Sequence, residues 1–216
     1  MQSPPRTDRI AALLGLVGFA GNVAGVAFLW EVPVAYRPTD IDRWAALSFA
    51  HPQATVASAV SFILGLVALA GWAAGLGRQV GTPWARFGGA TIAVGALFNA
   101  VGCVTPLVLV SHVHPGCAGE ACAPVARALL GTTLSLDALF NLLLGIGLVA
   151  LGAALWTRGA RALAILGLVA GLASIPVAGQ PFSEAAAKLL GVAGPLWLLF
   201  VLWSSARLWR GDGGRP

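Results

Sequence analysis

Charged side chains are scarce in this chain. They make up 10% of its 216 residues, where a soluble domain usually carries about 25% to dress its surface for water. The deficit excludes an ordinary soluble domain. It also removes the reading of the +5 formal charge as a nucleic-acid surface, because the basic residues sit at the ends of apolar runs. Period-two alternation is missing as well, which excludes the strands of a membrane barrel. The compact signatures of enzymes are absent: there is no HExxH, no GxSxG elbow, no P-loop and no suitably flanked GxGxxG. Lysine is reduced to one residue against twelve arginines, and Ala and Gly are abundant, a composition that fits a GC-rich bacterial genome.

What is present is apolar. Hydrophobic residues make up 58% of the chain, and its mean hydropathy is +0.84. Six continuous runs are predicted to be membrane-spanning helices: Ile10–Trp30, Ala54–Leu76, Phe87–Val110, Ala126–Trp156, Ala160–Ala178 and Ala185–Trp209. At about 1.5 Å per residue each crosses, or nearly crosses, a hydrocarbon core of about 30 Å. The fourth is long enough to tilt or to project beyond the membrane. The first is too long for a signal-peptide core and lacks a small-residue cleavage site, so it is read as an uncleaved anchor. The expectation is an all-α, single-domain, six-helix bundle.

Charge orients it. Arg6, Arg9, Arg78, Arg86, Arg158, Arg161, Arg207, Arg210 and Arg215 fall in alternate segments, opposed only by Asp8 and Asp212. The other side holds Arg37, Arg43, Arg127 and Lys188 against Glu31, Asp40, Asp42, Glu120 and Glu184. Both termini are therefore expected in the cytoplasm of a bacterium whose plasma membrane the chain spans. Trp30, Trp72, Trp84, Trp156 and Trp209 stand near span ends, as an aromatic belt would. In the outside loop 31–53, TDIDRWAALSFAHP sets Thr39 and Asp42 at capping-box spacing and predicts a short amphipathic surface helix ended by Pro52.

The order RTDRIAALLGLVGFAGNVAG, WAALSFAHPQATVASAVSFILGL, DALFNLLLGIGLVALGAALW and TRGARALAILGLVAGLASI resembles a family of six-helix bacterial membrane proteins known only as a domain of unknown function. In that family a short basic turn, here Trp156 to Arg161, joins spans four and five ahead of a leucine- and glycine-rich helix. The turn in this chain lacks the family's usual proline. The resemblance implies no catalytic residues.

The polar residues inside the apolar runs are the candidate site. Counted from the cytoplasmic ends, Asn22 and Asn99 lie about 18 Å deep, Asn141 about 22 Å and Asp137 about 28 Å. The aspartate is thus near the outer edge, where a charge costs less than at the centre. The asparagines lie on stripes of small or polar residues: Gly18-Asn22-Gly25, Thr91-Gly95-Asn99-Cys103 and Thr133-Asp137-Asn141-Gly145. Spans one, three and four are expected to meet along these stripes, either as interhelical hydrogen bonding or as a polar ligand site. Glu31 and Lys188 supply outer-rim charges at about 31 Å, with Lys188 a candidate partner for Asp137. GxxxG spacings at Gly21–Gly25, Gly71–Gly75 and Gly167–Gly171 hint at close packing.

In the outside loop 111–125, SHVHPGCAGEAC offers two readings. A Cys117–Cys122 disulfide is the default on the oxidising side. A Zn or Cu site of His112, His114, Cys117 and Cys122 is the alternative, although the spacing matches no standard motif. Cys103 is expected to be a small packed residue. No cofactor is required by this pattern, and the expected partners are the lipid bilayer, a membrane protein or a second copy. The functional expectation is a lipid- or partner-binding membrane component that does no catalysis. The alternatives are a small-solute transporter using the Asn/Asp cluster, or a metal or thiol-redox enzyme at the outer loop.

Overall fold

Continuously apolar, Ala/Leu/Gly-rich sequence satisfies its backbone internally only as helix when water is absent. The computed structural model describes residues 6–28, 40–113 and 122–211, and among them every regular element is helical. The order is α1 (Arg6–Phe28), α2 (Ile41–Ala50), α3 (Pro52–Val80), α4 (Pro83–Gly102), α5 (Val104–Val108), a π-helical segment (Leu109–Val113), α6 (Ala123–Thr157), α7 (Arg161–Val177) and α8 (Glu184–Arg210).

Five stretches are long and apolar enough to cross a membrane: α1, α3, the run Pro83–Val113, α6 and α8. The fifth predicted span, α7, is apolar but has only 17 residues, a length of about 26 Å. The long helices alternate with sharp stops. Gly81 (φ +77°), Gly159 (φ +79°) and Gly211 (φ +81°) take the left-handed conformation that ends a helix. Gly159 supplies the reversal between α6 and α7 in the turn that has no proline. Thr82 and Ser183 cap the starts of α4 and α8, accepting from the Ala85 and Ala186 backbone N–H groups.

Each long helix packs on its sequence neighbour, and α8 returns to α1, so the order α1-α3-α4-α6-α7-α8 closes into a ring. The glycines make this possible. A methyl group on Gly21 would meet the Gly65 Cα at 2.7 Å, and one on Gly88 would meet the Gly147 carbonyl oxygen at 2.6 Å. One on Gly171 would meet the Gly145 carbonyl oxygen at 2.7 Å. All three GxxxG pairs lie at such contacts: Gly21 and Gly25 of α1 on α3, Gly71 and Gly75 of α3 on α1, and Gly167 and Gly171 of α7 on α6. The expected meeting of spans one, three and four is corrected here. The α1 stripe packs against α3, not against α4 or α6, because Gly18, Gly21 and Gly25 fit the backbone or ring atoms of Phe62, Gly65 and Leu69.

The surface is inverted relative to a water-soluble bundle. Asn22, Asn99, Asn141, Ser174, Gln180 and Ser204 are buried, while Leu64, Val101 and Leu172 are at least 60% exposed and face outward. The chain is therefore built as a membrane protein. One end of the bundle carries both termini: Gln79 donates to Asp8 at 3.0 Å, and Arg9 lies over the Trp209 ring at 5.9 Å. That half is solid, with Trp72 and Phe200 fully buried and packed edge to face at 6.1 Å.

These contacts give a direct contrast. Gly21→Ala presses a methyl onto rigid backbone and should lower stability in detergent by about 1–3 kcal/mol. Gly191→Ala, where nothing lies within 4 Å, should cost nothing. Thermal unfolding followed by tryptophan fluorescence separates the two.

Candidate functional site

The half of the bundle away from the termini is hollow. A cavity of about 790 Å³ lies between α1, α3, α4, α5, α6 and α8, with α2 across its mouth. Its walls are mainly apolar and aromatic, including Trp44, Phe62, Phe140 and Trp197. Phe140 and Trp197 meet edge to face at 6.4 Å and belong to the same core as Trp72 and Phe200, so the cavity has a packed floor. Space exists because α8 withdraws: Gly191 and Gly194 have nothing within 4 Å of where a side chain would begin. Pro195 follows them and, having no N–H, leaves the Gly191 carbonyl without its usual helical donor.

On this apolar wall sits one polar hub. The Asp137 carboxylate receives three side-chain amides: Asn99 Nδ2 donates to Oδ1 at 3.0 Å, Gln180 Nε2 to Oδ2 at 2.5 Å, and Asn141 Nδ2 to Oδ2 at 3.3 Å. Asn141 also donates to the Asp137 backbone carbonyl at 2.9 Å. A carboxylate has about four acceptor positions, so the three amides leave one open, on Oδ1. Because every donated N–H points at Asp137, the amide oxygens turn elsewhere, and that of Gln180 is buried without a partner. The bonds tie α4, α6 and the turn after α7 together at one level.

Three of the four predicted cluster residues, Asn99, Asp137 and Asn141, are thus in direct contact. Asn22 lines the same cavity but donates to Gly18 of its own helix at 2.8 Å. The depth count placed Asn99 too low, since α4 begins at Pro83, four residues earlier than expected, which raises Asn99 by about 6 Å. Lys188 does not pair with Asp137. Its Nζ lies 3.1 Å from Glu184 Oε1, one turn earlier in α8, and both charges stand at the cavity mouth. Glu31 lies outside the described residues.

Gln180 was not anticipated. It is uncharged and follows Gly179 in a turn, which reads as connector, yet its side chain is fully buried. The signal lay in the count: 19 residues from Arg161 is about 28 Å, the depth assigned to Asp137.

Above the hub, the third predicted span breaks. Pro106 has no N–H for the Gly102 carbonyl four residues back, and α4 stops at Gly102. The hydroxyls of Thr105 and Thr133 donate to that carbonyl instead, at 3.0 and 3.1 Å, and also touch each other. Cys103 lies in the break, half-buried and packed against the main core, where it also lines the cavity. In the Cys/His loop, His112 lies in the last turn of the π segment with Nδ1 2.6 Å from the Ser111 hydroxyl, and Cys122 stands at the start of α6. His114 and Cys117 lie outside the described residues, and with them the disulfide and metal readings.

The surface helix forms as expected in α2, but its cap differs. Asp40 occupies the N-cap without a side-chain cap bond, and Thr39 lies outside the described residues. Asp42 turns to α6, where Arg127 Nε and Nη2 donate to its two oxygens at 2.7 and 2.8 Å. Ile41, Trp44 and Ala45 pack on Leu109, Ala126 and Leu130, so α2 lies on the bundle with Trp44 and Asp40 facing the cavity.

No protein-family model, no curated protein and no solved structure matches this chain. The six-helix family resemblance therefore assigns no residue a role, and function is argued from the cavity alone.

Arg127 holds the Asp42 carboxyl below its ordinary value. The pairing accordingly contributes in full above the unfolded carboxylate value of about 3.9 and is lost as pH falls through the lower folded value. Because the pair is exposed, the effect is small and screened by salt. Asp42→Asn should lower amide protection factors across residues 41–50 about twofold at neutral pH, and taking the unaltered protein below the depressed Asp42 value should lower its protection factors likewise, once intrinsic exchange at each pH is divided out. Hydrogen–deuterium exchange read by mass spectrometry reports both.

Proposed function

We propose that this chain is a six-span bacterial plasma-membrane protein, with both termini cytoplasmic, that binds an amphipathic molecule, a membrane lipid, in the cavity at its outer end and does no chemistry on it. The observation that carries this reading is a cavity of about 790 Å³ whose wall is mainly apolar, with the Asp137 hub upon it and the charges of Asp40, Glu184 and Lys188 among its lining. Sites for lipids and drug-sized molecules have this composition: extensive apolar burial with few polar groups that orient the ligand. The arginine-rich end bearing the termini supports the orientation. The short α7, lying along α6 between two full-length helices, supports counting it as the sixth span.

The closed floor favours binding over conduction. Phe140 and Trp197, backed by Trp72 and Phe200, separate the hollow half from the solid half. A Cys117–Cys122 disulfide belongs to this reading as a local brace of the outer loop, where it would contribute little to global stability. Reduction should then add about two mass units to the intact chain.

Lipid retention tests the function. Protein extracted from its own membranes in mild detergent should carry one lipid-sized molecule per chain in native mass spectrometry. Gly191→Leu combined with Gly194→Leu fills the open space beside α8 and should cut that occupancy about tenfold or more. Equal occupancy in the filled variant, or no bound molecule on either protein, would remove the reading.

A further inference from the structure

We infer that the molecule bound in the cavity carries an organic ammonium group, seated against Asp137 and the aromatic side chains around it. This rests on the cavity being an amphiphile site and names the chemistry of the polar end.

Three observations converge on a cation. The first is the hub itself. Among the described residues the partners bonded to the Asp137 side chain are amides, with no Lys, Arg or His among them. The amides donate to the carboxyl group yet carry no net charge, so when Asp137 is ionised none of them supplies a counter-charge. Lys188, which lines the same cavity, is engaged by Glu184 at 3.1 Å. The second is the open acceptor position on Oδ1, on a residue that lines the cavity. The amide oxygens of Asn99 and Asn141, both also on the wall, are further acceptors beside it.

The third is aromatic. Trp44 from α2, Phe62 from α3, Phe140 from α6 and Trp197 from α8 approach the cavity from four sides. Ring faces attract ammonium groups, and quaternary ammonium sites are built from such surrounds. A carboxylate and aromatic rings lining one cavity together select a positively charged nitrogen over an uncharged group of the same shape.

Matched probes decide it. A phenylalkyl trimethylammonium ion and its uncharged tert-butyl counterpart differ only in replacing N⁺ by carbon, so shape and apolar burial are held constant. Binding to the intact purified protein is read by quenching of tryptophan fluorescence. The ammonium probe should bind about tenfold tighter than the neutral one. In Asp137→Asn that preference should fall to near unity while the neutral probe keeps its affinity. The neutral probe thus reports whether the variant's cavity is intact, and if the variant does not fold, the preference of the unaltered protein decides alone. Equal binding of the two probes to the unaltered protein overturns the ammonium inference and leaves the amphiphile site standing. Failure of both probes to bind overturns both.

Discussion

Helices that share a bilayer gain nothing by hiding apolar surface from lipid, so their association depends on how closely their backbones approach. This constraint organises the ring. At Gly21 against Gly65, Gly88 against Gly147 and Gly145 against Gly171, backbone lies on backbone with no room for a methyl group. Dispersion over such contacts is dense, and it is lost wherever the helices part. The cavity is therefore informative. At Gly191 and Gly194 the same residue type faces empty space, so glycine there serves room and not contact. A helix bundle held by close approach does not leave an open volume on its axis by default. Here the volume is framed by Pro195, by the Pro106 break and by an aromatic floor.

The polar chemistry obeys the same absence of water. Most buried hydroxyls and amides return a proton to a carbonyl or a carboxylate, as Ser58 does to Gly25, Ser174 to Ala170 and Thr133 to Gly102, while the hydroxyls of Ser48 and Ser205 find no partner among the described residues. Asp137 collects what the helices cannot satisfy alone. It does so with side chains from two helices and a turn, so the end of the bundle away from the termini is knitted by hydrogen bonds and the opposite end mainly by packing.

Much of this was legible in the sequence, for a physical reason. Length, hydropathy and arginine distribution respond to the bilayer as a uniform solvent, so spans and loop polarity can be counted without knowing any contact. The contact of Asn99, Asp137 and Asn141 was also legible, because small residues at helical spacing mark one face. What escaped depends on which faces meet. The Gly18-Asn22-Gly25 stripe reads the same whether it packs on α3 or on α4, and only the backbone fit at Gly65 and Leu69 decides. Lys188 escaped because two partners lay within reach, and the one on its own helix was reached without crossing the cavity. Gln180 escaped because a neutral residue in a turn gives no periodic signal.

The shortness of α7 has a consequence for the membrane itself. In the six-span arrangement, 17 helical residues cover about 26 Å, a few ångströms less than the hydrocarbon around it. Were α7 to cross as a span, that shortfall would fall to local thinning, to snorkelling side chains or to its taller neighbours, and its far end is where the turn holds Gln180 against Asp137.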